Sequence, residues 1–167
     1  MKEGPNVHRL RWKDEELERL RLYLESPHSI FARPRRFAEI DVEEKEEIAL
    51  FIESSMDMSF SDALLKIIDI KGFTDVEVYK NAKVDRRVFS KIRSSSSYQP
   101  SINTAIRLCL GLKATPLEAL MLLEKAGYTL SRSKKEDLVV LYCLEHKIYD
   151  VDDINLAIEL LGLEKKI

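Results

Sequence analysis

The chain has 167 residues, of which 45% are apolar and 34% charged, and its formal net charge is −2. This length suits one domain of ordinary size with a single core, and the near-neutral balance excludes a polycation that coats nucleic acid or anionic membranes. The N-terminus has no apolar signal core and no stretch approaches the roughly 20 apolar residues of a membrane span, so we expect a soluble, cytoplasmic protein.

The pattern of apolar residues is helical throughout. Only five Gly and five Pro occur among many Leu, Ile, Glu, Lys and Arg residues at 3.6-residue spacing, which predicts an all-α fold. We place a helical N-terminal extension with a basic linker at residues 1–58. A helix-turn-helix helical domain follows at residues 59–167.

The N-terminal extension contains two predicted helices and a basic cluster. The first helix runs from Arg9 to Glu25 and either packs on the domain or mediates self-association. The second runs from Val42 to about Met58 and has an acidic first turn. Between them, a basic arm can follow a phosphate backbone or enter a minor groove, although a solvated loop is the commoner structure. Its residues are Arg33, Arg35 and Arg36.

The stretch from residue 74 to residue 94 predicts two short helices joined by a tight turn. Thr74 and Glu77 have the spacing of a capping box, in which each side chain satisfies a backbone N–H at a helix start. Asp85 is a good N-cap for the second helix. A supporting helix, capped by Ser59 and ended by Gly72, precedes the pair.

The second helix of this pair has one apolar side and one basic side. Val88, Phe89 and Ile92 share a side at i, i+1 and i+4, so the opposite side is exposed. Arginine there can donate two hydrogen bonds to guanine, and lysine or serine can serve bases or phosphates. A merely solvated basic face is the alternative. The base-reading candidates are Arg86, Arg87, Ser90 and Lys91.

The segment around these two helices is basic, and it contains further side chains that can bind phosphate. Residues 60–114 hold ten Lys and Arg against five Asp and Glu, which is the footprint of a nucleic-acid-binding patch. Hydroxyl, amide and arginine side chains around these helices can grip phosphates, and the helix start at Ser101 is a plausible phosphate clamp. The phosphate-binding candidates are Thr74, Arg93, Ser94, Ser101 and Asn103.

Four more helices are predicted downstream, each from its N-cap. One begins after Ser101. The next combines Thr115, a first-turn proline and Glu118, and runs to Gly127. Ser133 and Glu136 repeat the capping-box spacing before a helix that is apolar nearly all round and therefore central. The last runs near residues 152–161, after an aspartate-rich stretch that we interpret as an N-cap region.

No catalytic or metal-binding pattern emerges. Cys109 and Cys143 have apolar helical surroundings and no CxxC pairing, so buried thiols are expected. His8, His28 and His146 lack ligand spacing, and no Gly-rich phosphate loop or nucleophile motif accompanies them. We therefore expect neither an enzyme nor a metal or cofactor.

These residues carry a resemblance to a known family. Five helices from Ser59 to Gly127 resemble the lambda-repressor-like, or XRE-type, helix-turn-helix domain. The family usually has a small residue where Tyr79 stands and often Gly where Lys83 stands. The matching core and turn positions are Val78, Ala82, Val84, Phe89, Ser90 and Ile92, followed by Tyr98, Pro100, Ser101 and Thr104.

A longer likeness runs from about residue 60 to residue 161. It is to a bacterial module found in conflict and signalling proteins, which looks like an XRE-type domain with two extra C-terminal helices. The signature is read here in Phe89 to Ser94, Tyr98 to Ser101, Thr104-Ala105, Ala126 to Tyr128, Leu130-Ser131 and Asp137.

The resemblance implies a transcriptional regulator that binds double-stranded DNA. A homodimer on two half-sites about one helical turn apart is then expected. The alternative is an antitoxin-like or adaptor module that uses the fold without DNA and binds a protein partner in a defence or signalling system. Function depends on the site and not on the fold, so both hypotheses stay open at this point.

Overall fold

The structure, a computed structural model, describes residues 12–25, 46, 58–164 and 166–167. This part of the chain contains eight helices and no strand, which confirms the all-α prediction at that level. The basic arm of Arg33, Arg35 and Arg36 lies outside the described residues, as does nearly all of the predicted helix from Val42 to Met58. The helices are α1 (Asp14–Glu25), α2 (Phe60–Lys71), α3 (Asp75–Asn81), α4 (Arg86–Ser94), α5 (Ile102–Gly111), α6 (Pro116–Lys125), α7 (Lys135–Glu145) and α8 (Val151–Leu160).

Most helices begin where a side chain satisfies the first backbone N–H groups. Ser59 and Ser101 accept hydrogen bonds from the backbone N–H three residues on, as predicted. Both predicted capping boxes, at Thr74 and Thr115, are formed. At α8 the side chain of Asp150 accepts from two backbone N–H groups, which confirms that the aspartate-rich stretch is an N-cap region.

Two predicted helix starts were wrong. The capping box at Ser133 and Glu136 does not form: α7 begins at Lys135, and its N-cap Lys134 makes no side-chain capping bond. The carboxylate of Asp137 instead accepts from the Ser131 N–H at 2.8 Å, which draws the preceding loop into a different turn. Helix α1 begins at Asp14, not at residue 9.

The late start of α1 has a long-range cause. The Trp12 indole is buried, and its Nε1 donates to the carbonyl oxygen of Asp153 at 2.7 Å. Leu20 and Tyr23 are completely buried in the same core as the C-terminal helices. Residues 12–25 therefore pack on α7 and α8, which answers the question of where this helix lies.

Helix α7 is the centre of the C-terminal half. All seven residues from Leu138 to Leu144 are buried, as the nearly continuous apolar run predicted. The Tyr23 and Tyr142 rings meet edge to face with centroids 5.0 Å apart, and His146 stacks on Tyr142 at 3.9 Å. The contact between Tyr23 and Tyr142 adds a geometric preference to burial, so it helps to orient α1 on α7.

Helices α3 and α5 approach each other closely at Gly111. A Cβ atom built at this position would lie 2.6 Å from the Val78 carbonyl oxygen and 2.8 Å from Ala82 Cβ. Val78 and Ala82 are both completely buried. Only a residue without a side chain permits this contact, so Gly111 sets the separation of the two helices.

Helices α3, α5 and α7 are each followed by a lysine in the left-handed conformation. The φ angles are 51° at Lys83, 51° at Lys113 and 56° at Lys147. After each lysine, the next backbone N–H bonds back to a carbonyl five residues earlier, as Val84 does to Tyr79 at 2.9 Å. This is the Schellman pattern, which usually contains glycine. Lysine therefore occupies strained backbone at these turns.

The helices in the described residues are too short and too polar for any of them to cross a bilayer.

Candidate nucleic-acid interface

Helix α4 presents the four base-reading candidates on its outer side. Its N-cap Asp85 accepts from the Arg87 N–H at 2.7 Å, as predicted. Phe89 and Ile92 are buried, 3% and 0% exposed, and hold the inner side against the core. Because these anchors lie on one side, the predicted set is exposed on the other; it comprises Arg86, Arg87, Ser90 and Lys91.

The basic side chains of this surface have no acidic partner among the described residues. Arg86, Arg87 and Lys91 form no ion pair with any other residue in the part of the chain that the structure describes. Asp85 is the nearest acidic residue in sequence, and its carboxylate is directed to the backbone of the first turn. Within the part of the chain that the structure describes, the outer side of α4 is therefore positively charged.

The turn between α3 and α4 fixes the angle of this surface. Lys83 adopts the left-handed conformation there, where the resembled family often has glycine. Its Nζ donates to Asp152 Oδ2 at the start of α8, so a C-terminal helix contacts the turn. Tyr79 stands where the family that the chain resembles usually has a small residue. It is partly buried, and its ring centroid lies 5.8 Å from that of Phe89.

The phosphate-binding candidates have internal partners. Thr74 Oγ1 donates to Glu77 Oε2 at 2.7 Å within the capping box. Ser101 Oγ accepts from the Thr104 N–H at 3.2 Å. Ser94 Oγ donates to the Lys91 carbonyl oxygen at 3.3 Å. These hydroxyl groups shape helix ends first, and only their remaining lone pairs and protons are available to a ligand.

Arg93 and Asn103 have partners that lie farther away in sequence. Arg93 Nη1 lies 2.6 Å from Asp75 Oδ2, so the end of α4 is paired with the start of α3. Asn103 Nδ2 donates to the Lys166 carbonyl oxygen at 3.3 Å. No local pattern relates Asp75 to a residue 18 positions later, so sequence reasoning missed this carboxylate.

The two cysteine thiols are shielded from solvent. Cys109 and Cys143 are buried, as expected. Burial raises the pKa of the Cys109 thiol to about 12, which keeps it protonated and unreactive. Within residues 12–25, 46, 58–164 and 166–167, no group of three or more His, Cys, Asp or Glu side chains is placed to hold a metal ion.

Comparison with known proteins found no relative: no family model matches the chain, and neither the curated proteins nor the solved structures contain a significant match.

Proposed function

We propose that this chain binds double-stranded DNA as a transcriptional regulator, with α4 in the major groove. The observation that carries the proposal is the outer side of α4, where Arg86, Arg87 and Lys91 are exposed and have no ion-pair partners among the described residues. A B-DNA major groove admits one α-helix, and arginine pairs there with guanine O6 and N7.

The proposed fold is a lambda-repressor-like arrangement of α2 to α6, with α7 and α8 as the two additional helices. In that arrangement α3 crosses the DNA backbone while α4 reads bases. The short turn, the buried pair Phe89 and Ile92 and the exposed basic side support it. A homodimer on two half-sites is part of the proposal, since a single module makes few base contacts.

A protein-interaction function is the second candidate, and specific contacts favour it. Asp75 neutralises Arg93, and Asp152 neutralises Lys83. Both acidic residues weaken the positive field near α4, which suits a surface that meets a protein better than one that grips many phosphates. An antitoxin-like or adaptor module, with a protein partner in a defence or signalling system, would use the same exposed side of α4.

Binding to a pool of random duplexes, measured at several salt concentrations, separates the two functions. A DNA reader enriches a sequence, and its affinity falls steeply with salt because phosphate contacts release counterions. An adaptor enriches no sequence and binds DNA weakly at every salt concentration. Enrichment without salt dependence would contradict the phosphate contacts in the proposal.

An Asp75→Asn variant sharpens this measurement. The change removes the partner of Arg93, so that its guanidinium can reach a phosphate. We expect tighter binding and a salt slope that is steeper by about 0.9, the value for one phosphate contact. Asp69→Asn, at an exposed aspartate near the end of α2, makes the same charge change and is the control. An equal response of the two variants would mean that Arg93 plays no part.

A further inference from the structure

Helices α2 and α6 leave an apolar surface exposed on one side. Leu117, Leu120 and Met121 lie at i, i+3 and i+4, so they share one side of α6. Leu117 and Leu120 are each 39% exposed, and Met121 is partly buried. Ile70, in the last turn of α2, is 59% exposed. We call these four residues the α6 patch.

An ion pair places Ile70 at the same end of α6 as Leu117. Lys71 Nζ lies 3.0 Å from Glu118 Oε2, and Ile70 and Leu117 are the residues directly before this pair. The patch therefore extends from the first turns of α6 to the last turn of α2. Exposed apolar side chains that adjoin one another in this way often mark a surface that contacts another segment or molecule.

The described chain reaches the other end of α6 at residue 58. Lys125 Nζ, at the end of α6, donates to the Met58 carbonyl oxygen at 3.1 Å, and Ser59 then caps α2. Together with the ion pair at Lys71, this contact shows that α2 runs antiparallel to α6. Residues 47–57 lie outside the described residues, and they join the described chain beside the last turn of α6.

The sequence of residues 47–57 predicts a helix with one apolar side. Glu46, directly before this segment, is helical and exposed. The apolar residues of the segment recur at i, i+3, i+4 and i+8, which is the spacing of an amphipathic helix. They are Ile48, Phe51, Ile52 and Met56. A helix of this kind needs an apolar surface to pack against.

We infer that residues 47–57 dock on the α6 patch as a helix antiparallel to α2. Only residues 58 and 59 connect the segment to α2, and helices joined by so short a connection pack side by side in opposite directions. Since α2 is itself antiparallel to α6, the docked segment runs parallel to α6. Its apolar side then faces the patch, and its polar side faces solvent.

The lengths of the two surfaces match. An α-helix rises about 1.5 Å per residue, so Ile48 to Met56 spans about 12 Å, and Leu117 to Lys125 spans the same distance on α6. The segment can therefore cover the whole patch while its end stays at residue 58.

The charges around the patch favour this occupant over a second copy of the chain. Lys66 lies one turn before Ile70 on the same side of α2, and Lys113 lies in the turn before α6. Neither lysine is in an ion pair with another described residue. Residues 47–57 contain three acidic residues and no Lys or Arg. A second copy on the same face would bring lysines against lysines, whereas the segment brings acidic residues to them.

A Leu117→Asn/Leu120→Asn variant tests the docking from the side of α6. Both residues are exposed, so the variant should fold as the parent does. Hydrogen exchange of the full chain, followed by mass spectrometry, should show the amides of residues 48–57 exchanging about tenfold to hundredfold faster than in the parent, because the segment loses its apolar partner. Leu22→Asn/Leu160→Asn is the control, since these leucines are 53% and 41% exposed in α1 and α8. The control should leave the same amides at the parental rate.

An Ile52→Asn variant tests the docking from the side of the segment. Release of the segment uncovers Met121, so hydrogen peroxide should oxidise its thioether at least about threefold faster than in the parent. Peptide mapping by mass spectrometry measures the sulfoxide at Met121. Leu50→Asn is the matched control, because residue 50 lies on the opposite side of the predicted helix. It should leave the oxidation rate of Met121 unchanged.

Each outcome decides the inference. Rapid exchange of residues 48–57 in the parent, or protection that survives Leu117→Asn/Leu120→Asn, overturns the docking, and so does unchanged oxidation of Met121 in Ile52→Asn. A parent that dissociates on the leucine substitutions, with the exchange of the segment unchanged, assigns the patch to a second copy and also overturns it. Circular dichroism identifies a loss of fold in the leucine variant, in which case the oxidation of Met121 decides. None of these measurements involves DNA, so their outcome does not bear on the proposed function.

Discussion

Helices α4 and α7 are used in opposite ways by the same fold. Two of the nine residues of α4 are buried, against seven of the eleven residues of α7. Helix α7 is surrounded by α1, α6 and α8 and supplies apolar contacts to each. Helix α4 supplies Phe89 and Ile92 to the core and exposes most of its other residues. Stability and the proposed recognition therefore depend on separate helices.

From this contrast between α4 and α7, we expect that substitutions of buried residues in α7 lower stability. Substitutions on the outer side of α4 should leave stability unchanged. Burial of apolar surface is the main stabilising effect in folding, and surface substitutions away from caps or strained backbone usually change stability by less than about 0.5 kcal/mol. The predictions below test this separation, beginning with the largest expected effect.

Leu144→Ala should cause the largest loss of stability. Leu144 is 2% exposed in the middle of the core, and truncation of such a side chain costs about 2–5 kcal/mol in lost burial and residual cavity. Urea unfolding measures the change, with Leu160→Ala as the control because Leu160 is 41% exposed. Equal losses in the two variants would contradict the central position of α7.

Gly111→Ala should destabilise the contact between α3 and α5. The new Cβ would lie within 3.0 Å of three atoms of Val78 and Ala82, two of them backbone atoms. We expect a loss of about 3 kcal/mol, at the upper end of overpacking effects, with faster amide exchange in α3. Gly72→Ala is the control, since its φ of 68° is strained for alanine but nothing lies within 4 Å; a loss of about 1–2 kcal/mol is expected there. A smaller loss at Gly111 than at Gly72 would mean that the helices separate easily.

Glu145, where α1 meets α7, should have a smaller effect on the free energy of unfolding, and this effect should depend on pH. Burial raises the pKa of this carboxyl above its usual 4.5, opposed by His146, by the Tyr23 hydroxyl and by Arg132. The folded state therefore binds the proton more tightly than the unfolded state, and the ionised form lowers stability at neutral pH. This cost disappears as the pH falls through the raised pKa to 4.5 and below.

Glu145→Gln removes the charge and keeps an acceptor for Tyr23. The variant should be more stable than the parent at neutral pH, and the difference should vanish under acidic conditions. Urea unfolding from neutral to acidic pH measures this difference in stability. Glu136→Gln, in the first turn of α7, makes the same chemical change and is the control. A difference that grows on acidification would contradict the raised pKa.

The features that sequence reasoning predicted correctly are local. The caps at Ser59, Thr74, Ser101 and Thr115 depend on residues three positions apart, and the apolar run of α7 is continuous. At Ser133 the same spacing failed, because the carboxylate of Asp137 bonds to Ser131 and changes the loop. A capping pattern shows which bonds can form and not which of them do.

The features that were missed are long-range. Trp12 bonds to Asp153, Asp75 pairs with Arg93, and residue 167 reaches Asn155 and Arg107. No spacing rule connects such positions, since the fold alone brings them together. Gly111 did carry a signal: a glycine inside an apolar helical run often marks a close backbone approach.

The measurement that tests the proposed function most directly compares two pairs of basic residues. An Arg86→Ala/Arg87→Ala variant removes the proposed base-reading side chains of α4. A Lys134→Ala/Lys135→Ala variant removes two adjacent exposed lysines at the start of α7 and makes the same charge change. We predict that the first variant keeps its stability but loses roughly 2–6 kcal/mol of discrimination between its preferred duplex and random DNA, as two bidentate contacts imply. The second should discriminate as the parent does. Equal discrimination by both variants, or no discrimination by the parent, would contradict DNA reading and assign the outer side of α4 to a protein partner.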